Sequence, residues 1–255
     1  MSEPVLAVES LAKSFGGVQA LRDVTFRVFA GELVALIGPN GAGKTTCFNC
    51  INGQLRPDSG RVTLAGTDIT GRSPRDIALA GVGRTFQVAA TFASMTVRQN
   101  VDVALLSHAG RVQALHMLPA SGKRSQADAL LERAGVAALA DRHVATLPYG
   151  DVKRVELALS LAGNPKLLLM DEPTAGMAPA DRGTLMAAAA ELARRDHVAV
   201  LFTEHDMDVV FGHADRVIVL DRGMLIAEGS PDAIKADARV QAVYLGEPIT
   251  PSAAR

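Results

Sequence analysis

The stretch LIGPNGAGKTTCFNC, residues 36–50, constrains the fold of this chain more than any other. An apolar run, ELVALIG, leads into a glycine-rich loop, and KTTCFNCIN after the loop is able to start a helix. In the pattern GxxxxGK[ST], here residues 38–45, the glycines let the backbone curl until several N–H groups converge on one anion. The helix that follows adds the positive end of its dipole. A loop of this kind needs a buried parallel strand on one side and a helix N-terminus on the other, so it calls for an α/β core. Within it Lys44 supplies charge that reaches the outer phosphates of a nucleotide, and the Thr45 hydroxyl suits Mg²⁺. An idle glycine-rich turn is the competing reading.

Cys47 and Cys50 are the only cysteines, and they follow the loop directly. A zinc site would have to borrow histidines from elsewhere, and a redox pair would need an exposed thiol of low pKa, so small buried side chains are the favoured reading. A second expectation competes with it. A helix N-terminus lowers a thiol's pKa, which would make Cys47 reactive in the empty protein and Cys50, nearly a turn deeper, slower. Two cysteines in 255 residues suit a reducing compartment.

Bulk properties narrow the remaining classes. The length fits one large domain or one domain with an insertion, and 48% apolar with 21% charged residues is a globular composition. A formal charge of −1 offers no electrostatic case for nucleic acid. The opening MSEPVLAVES has two acids and no basic leader, and no apolar run approaches the roughly 18 residues of a membrane span. The chain is therefore expected to be soluble and to reach a membrane only through a partner.

Along the chain, VLAVESLAKSF and LRDVTFRVFAGELVALIG read as short strands around turns, VTFRVF alternating as a half-exposed antiparallel strand does. LRPDSGRVTLAGTDI adds another strand, residues 74–80 a short helix, and GVGRTFQ a strand ending in a loop. From about 95 to 162 strand signals vanish and RSQADALLERAGV shows helical spacing, so this stretch is expected to be a helical insertion. Within it, LSHAGRVQALHMLPASGKR reads as a loop or short helices. Then KLLLM and VAVLFT are buried strands, PADRGTLMAAAAELARR and DMDVVFGHA helices, and RVIVLDRGMLIAEG a hairpin about residues 221–223. The last residues, 246–255, are expected to be a loose tail.

Four further residues carry chemistry. KLLLMDEP puts Asp171 and Glu172 at the carboxyl end of an apolar strand, where an open α/β sheet presents its ligand crevice. Neighbouring side chains on a strand point apart, so the two acids need different jobs: Asp171 to reach Mg²⁺, Glu172 to face the water that attacks a γ-phosphate. LFTEHD ends a second such strand with His205, whose ring N–H would meet that phosphate. Gln87, at the junction of core and helical stretch, offers a donor and an acceptor without charge and suits water and Mg²⁺. For each, a structural side chain is the plainer alternative.

The order of these features, phosphate loop, junction glutamine, LPYGDVKRVELA, LLLMDEP and strand-end histidine, resembles that of the ATP-binding cassette (ABC) ATPases over nearly the whole chain. FGGVQAL, GVGRTFQ, MTVRQNV, TEHDM and YLGEP look more narrowly like the ATP-binding subunits of branched-chain amino acid importers. The resemblance implies an α/β fold: a P-loop NTPase (RecA-like) core with an N-terminal antiparallel β subdomain, about residues 1–94 and 163–245, and a helical subdomain at about 95–162.

It also implies ATP and Mg²⁺. ATP would meet Asn40, Gly41, Gly43, Lys44, Thr45 and Thr46, with Phe15 at the position of the adenine-stacking aromatic. Thr45, Gln87 and Asp171 would hold the metal, and Glu172, His205 and Gln87 would serve catalysis. Hydrolysis would occur between two such subunits, the same or paralogous, each lending the other its signature segment. Here that segment is LPYGD rather than LSGGQ: Leu147 and Gly150 match, Pro148 replaces the serine, Tyr149 a glycine and Asp151 the glutamine. Tyr149 and Gly150 would face the second nucleotide through the following helix N-terminus. Ala178 stands where the family commonly has aspartate. Implied partners are transmembrane permease subunits and, indirectly, a solute-binding protein, with the chain on the cytoplasmic face of the membrane. A soluble ABC ATPase and a regulatory nucleotide-binding module are the rival readings.

Overall fold

The structure, a computed structural model, describes residues 3–85, 91–110 and 124–245. In chain order it runs β1 (Leu6–Phe15), β2 (Val18–Val28), β3 (Leu33–Ile37), α1 (Lys44–Ile51), β4 (Ser59–Leu64), β5 (Thr67–Asp68), α2 (Pro74–Ala80) and β6 (Val82–Thr85). Helices follow: α3 (Val97–His108), α4 (Arg124–Arg133) and α5 (Tyr149–Ser160). The alternation then resumes with β7 (Leu167–Asp171), α6 (Pro179–Asp196), β8 (Ala199–Thr203), α7 (Met207–His213), β9 (Arg216–Asp221), β10 (Met224–Gly229), α8 (Pro231–Ala236) and α9 (Ala238–Leu245). Gln87, residues 111–123 of the glycine- and proline-bearing stretch, and the tail 246–255 lie outside the described residues.

Two sheets result. An antiparallel sheet has the order β2-β1-β4-β5, and a mixed sheet the order β10-β9-β3-β8-β7-β6, parallel except for β10 against β9. The α/β expectation holds. Strand β3, wholly buried, sits in the middle of the second sheet, and its alternate residues feed different cores. Val34 and Leu36 join Leu169, Leu201 and Ile218 on the face that meets α1 and the antiparallel sheet. Leu33, Ala35 and Ile37 join Met170, Phe202, Val217 and Val219 on the face covered by α6, α7 and the α3–α5 helices. A period of two on a strand produces this division, and burial on both faces explains why these strands read as continuous apolar runs.

Helix α1 is the hinge between the layers. It lies between the two sheets, so Phe48 and Ile51 are fully buried with Leu6, Val8 and Leu11 of the antiparallel sheet and Leu36 of the parallel one. The same placement overturns the expectation of a reactive Cys47. Both thiols are buried, Cys47 completely. Burial pushes the Cys47 thiol up, and pushes Cys50 up to about 11 despite the nearby Lys13. A thiolate in an apolar layer costs more than the helix dipole returns.

The β9–β10 hairpin turns as its residues predict, with Arg222 at φ 46° and Gly223 at φ 81°, the pair of left-handed residues that a two-residue hairpin turn requires. The turn also ties the layers together. Gly223 N–H donates to Ala42 O (3.0 Å) in the phosphate loop, and Arg22 N–H of β2 donates to Gly223 O (2.7 Å).

Both cysteines are accordingly expected to resist a small maleimide in the native protein at neutral pH, reacting at least about tenfold slower than in the denatured chain. Site mapping by mass spectrometry before and after denaturation checks this; native labelling of Cys47 at the denatured rate would contradict its burial.

Candidate functional site

The loop between β3 and α1 is shaped by close backbone approach. A Cβ on Gly38 would stand 2.2 Å from Leu220 O, and one on Gly43, at φ 105°, 2.5 Å from Ala20 O. Gly41, at φ 79°, has nothing within 4 Å of that position and lies along an open cleft. Glycine is thus demanded by contact at Gly38, by contact and conformation together at Gly43, and by conformation alone at Gly41. The N-cap of α1 is Gly43, with no side-chain cap, so this helix start brings no oxygen of its own to its leading N–H groups.

A cleft of about 310 Å³ opens at this point, lined by Phe15, Asn40, Gly41, Gly43, Lys44, Thr45, Thr46, Glu172 and His205, with Ala20 and Ala42 completing the wall. The sequence scatters these residues over 190 positions; the parallel sheet gathers those of the loop, Glu172 and His205 at the carboxyl ends of β3, β7 and β8, and the antiparallel sheet adds Phe15 from β1 and Ala20 from β2. Lys44 is nearly buried, and its ammonium donates to Gly38 O (2.7 Å) and Pro39 O (3.2 Å). Burial pulls it below the usual lysine range, while the carboxylates of Glu172 and Asp171 pull it back up. Phe15 is half exposed at the end of β1, with the Lys13 ammonium 5.5 Å from its ring centre.

Adjacent carboxylates are parted by one backbone torsion. Asp171 closes β7 with ordinary strand geometry, and its two oxygens are held separately: Thr203 Oγ1 donates to Oδ1 (2.8 Å), and Arg84 Nη2 lies 3.4 Å from Oδ2. Glu172 has φ 47°, a left-handed conformation costing about 1–3 kcal/mol in a residue with a Cβ. Its N–H is fixed by Thr203 O and Thr203 Oγ1, both at 3.1 Å. The side chain is thereby turned toward His205, whose Nε2 lies 2.8 Å from Glu172 Oε1.

Two polar residues inside the apolar run of β8 and its end, Thr203 and Glu204, were not singled out from the sequence. Glu204 is buried and accepts from Thr174 N–H (2.8 Å), Thr174 Oγ1 (2.6 Å) and His205 N–H (3.2 Å), so it clamps the segment after Glu172 to the start of the His205 loop. The available signal was FTEHD itself: two polar side chains closing a buried strand must find partners. Arg84, half-buried at the end of β6, was likewise passed over.

Tyr149 and Gly150 are not among the residues lining this cleft. They open α5, with Pro148 as an N-cap that offers no side-chain bond. Gly150 is buried, and a Cβ there would meet the Asp181 carboxylate at 2.8 Å. Gln87 lies outside the described residues. The chain's own groups suit a bound nucleotide and a hard cation: uncapped N–H groups and a desolvated ammonium for phosphates, an exposed Thr45 and a held Asp171 for Mg²⁺. Among the described residues no cluster of three or more His, Cys, Asp or Glu forms a metal cage.

Residues 21–175 match the family model described as ABC transporter, and residues 224–249 the one described as branched-chain amino acid ATP-binding cassette transporter. The high-affinity branched-chain amino acid transport ATP-binding protein LivG of Escherichia coli (strain K12) is 39% identical, the alignment covering 97% of this chain and all of LivG. BraF of Pseudomonas aeruginosa, of the same description, is 38% identical over the same shares. Among solved structures, the ADP conformation of MJ1267, an ATP-binding cassette of an ABC transporter, superposes with a TM-score of 0.85 at 32% identity, covering 96% of this chain and all of that one.

Replacing Lys44 with alanine removes the cation that a phosphate would draw from the Gly38 and Pro39 carbonyls. ATP affinity is expected to fall by about 2 kcal/mol, the scale of a charge-assisted contact. Equal affinities of K44A and parent in titration calorimetry would contradict this role.

Proposed function

The chain belongs to the ABC transporter family of ATPases, and from that premise we propose that it is the ATP-hydrolysing subunit of an importer for branched-chain or other amino acids or small related solutes. The observation that carries the hydrolytic part is the Glu172–His205 contact of 2.8 Å at the edge of the cleft that Lys44 and Thr45 line. The cargo assignment is supported by the match of residues 224–249 and by the full-length likeness to LivG and BraF.

The residues divide the work by their chemistry. Phe15 offers a flat apolar face to a base at the cleft's mouth. Lys44 and the N–H groups of residues 40–46 bind the phosphates, exchanging carbonyl contacts for anionic ones. Thr45 and Asp171, with Gln87, would hold Mg²⁺, which when bound supplies charge neutralisation at the β- and γ-phosphates. Glu172 accepts a hydrogen bond from the attacking water and orients it. His205, in the tautomer with its proton on Nε2, donates to Glu172 and holds that carboxylate in place.

Tyr149 and Gly150 stand apart from the chain's own phosphate loop, which supports a dimer in which each subunit closes the other's site with the start of its α5. The Gly150 amide and the helix dipole would face the second nucleotide's γ-phosphate, without the serine hydroxyl that LSGGQ sequences provide. Among the described residues no helix is long and apolar enough to cross a membrane. Dimer closure would therefore act on separate permease subunits at the cytoplasmic membrane face, to which a solute-binding protein delivers cargo. The rival readings are a soluble ABC ATPase and a regulatory module with weak hydrolysis. Purifying the untagged assembly from membranes and identifying its subunits decides: permease subunits are expected, and a chain recovered without membrane partners would favour the soluble reading.

Glu172→Gln keeps the side chain's size and its contact with His205 but cannot accept the water's proton. Hydrolysis is expected to fall roughly 10²-fold or more while ATP binding persists. Phosphate release at saturating ATP, measured beside nucleotide titration, is the check; unchanged turnover would remove Glu172 from the chemistry.

A further inference from the structure

We propose that Thr203 is a positioning residue for the reaction: its hydroxyl orients the Asp171 carboxylate toward the cation and couples that orientation to the Glu172 backbone. The inference rests on the reading of Asp171 as a carboxylate that holds Mg²⁺, and goes beyond it by assigning what aims that carboxylate.

Thr203 ends β8 beside β7, paired in register with Asp171 itself. Its side chain is buried, at 1% exposure, so its hydroxyl depends on protein partners. A hydroxyl has one proton to give. Here that proton goes to Asp171 Oδ1 at 2.8 Å, and a lone pair of the same oxygen receives the Glu172 N–H at 3.1 Å. The result is a directed relay, amide to hydroxyl to carboxylate, spanning two consecutive residues of the site. Donating to Oδ1 polarises the hydroxyl and makes its oxygen a better acceptor for the Glu172 N–H, and Arg84 takes the other carboxylate oxygen.

Two consequences follow from the chemistry. The terminal torsion of an aspartate is a soft, roughly two-fold rotor, so the plane of the Asp171 carboxylate is set by what bonds its oxygens rather than by its rotamer. Thr203 supplies the shorter of the two contacts just named. The Glu172 amide, in contrast, also reaches the Thr203 carbonyl, so removing the hydroxyl leaves the left-handed Glu172 backbone with one of its two acceptors. Loss of the hydroxyl is therefore felt first at Asp171 and the cation, and second at Glu172. Valine has nearly the same shape and carries neither donor nor acceptor; serine keeps both and loses only a methyl.

The test uses the full chain with ADP and Mn²⁺ as the probe cation, free Mn²⁺ being read by electron paramagnetic resonance, and compares T203V, T203S and D171N with the parent. T203V is expected to weaken Mn²⁺ binding in the ADP complex about tenfold, the scale of one hydrogen bond to a charged group. ADP affinity in excess chelator should stay at the parental value, and T203S should restore Mn²⁺ binding to within about twofold, serine keeping the hydroxyl's donor and acceptor. A steady-state companion measurement should show the Mg²⁺ requirement for half-maximal ATPase raised in T203V without a matching change in KM for ATP. Parental Mn²⁺ affinity in T203V while D171N loses it would overturn the proposal and leave the reading of Asp171 standing. Parental affinity in D171N as well would overturn both. Failure of T203S to rescue, or equal weakening of ADP binding in chelator, would assign Thr203 a packing role and also overturn it.

Discussion

A strip of backbone with no room for side chains governs this structure. Between β3 and α1 the chain passes so close to β9 and β2 that a methyl group on Gly38 would collide with the Leu220 carbonyl and one on Gly43 with the Ala20 carbonyl. The β9–β10 turn closes the same junction, since Gly223 bonds to Ala42 on one side and to Arg22 on the other. Three segments far apart in sequence, residues 20–22, 38–43 and 220–223, therefore share one joint. The joint sets where α1 starts, and α1 in turn separates the two sheets and fills the space between them with Phe48 and Ile51. The cleft exists because a helix start has been forced, uncapped, to the edge of a sheet.

Charge is arranged around that edge with little slack. Lys44 is desolvated and answered by carbonyl dipoles and two carboxylates, a partial compensation that leaves its charged form disfavoured relative to water. An anion arriving at the loop would complete that compensation, which is how a buried ammonium becomes a selective phosphate contact rather than a destabilising charge. The carboxylates are kept from competing for the same position by the left-handed backbone of Glu172, which sends Asp171 toward Thr203 and Arg84 and Glu172 toward His205. The strain of that torsion is met by the two Thr203 acceptors on the Glu172 amide.

Much of this was legible in the residues because local pattern and global packing agree. The runs LVALI, LLLM and AVLFT are buried on both faces, and a doubly covered strand has to look like that. The helices over residues 74–80 and 179–196 each begin on a proline, after Ser73 and Ala178, and the hairpin about residues 221–223 carries its turn chemistry openly. Lys44, Thr45, Glu172 and His205 could be gathered in advance because a parallel sheet collects strand ends at one edge, whatever lies between them in sequence. The cysteines misled for a reason of the same kind. A helix start argues for a depressed thiol pKa, but only the second sheet, unseen in local sequence, reveals that α1 is covered on both sides.

What stayed hidden were residues whose meaning lies wholly in a distant partner. Thr203 and Glu204 look like ordinary ends of a strand until β7 is laid beside β8 and their oxygens acquire Asp171, Glu172 and Thr174. Gly150 shows how one residue type conceals two causes. The turn glycines are required by torsion, since φ is positive at Gly41, Gly43 and Gly223. Gly150 is not among the positive-φ residues and sits within a helix, where alanine would be the better former. Its glycine is explained by the Asp181 carboxylate, which occupies the volume a Cβ would need. In LPYGD, the glycine therefore reports the packing of the first turn of α5 against the first turn of α6, a demand that no periodicity or turn rule encodes.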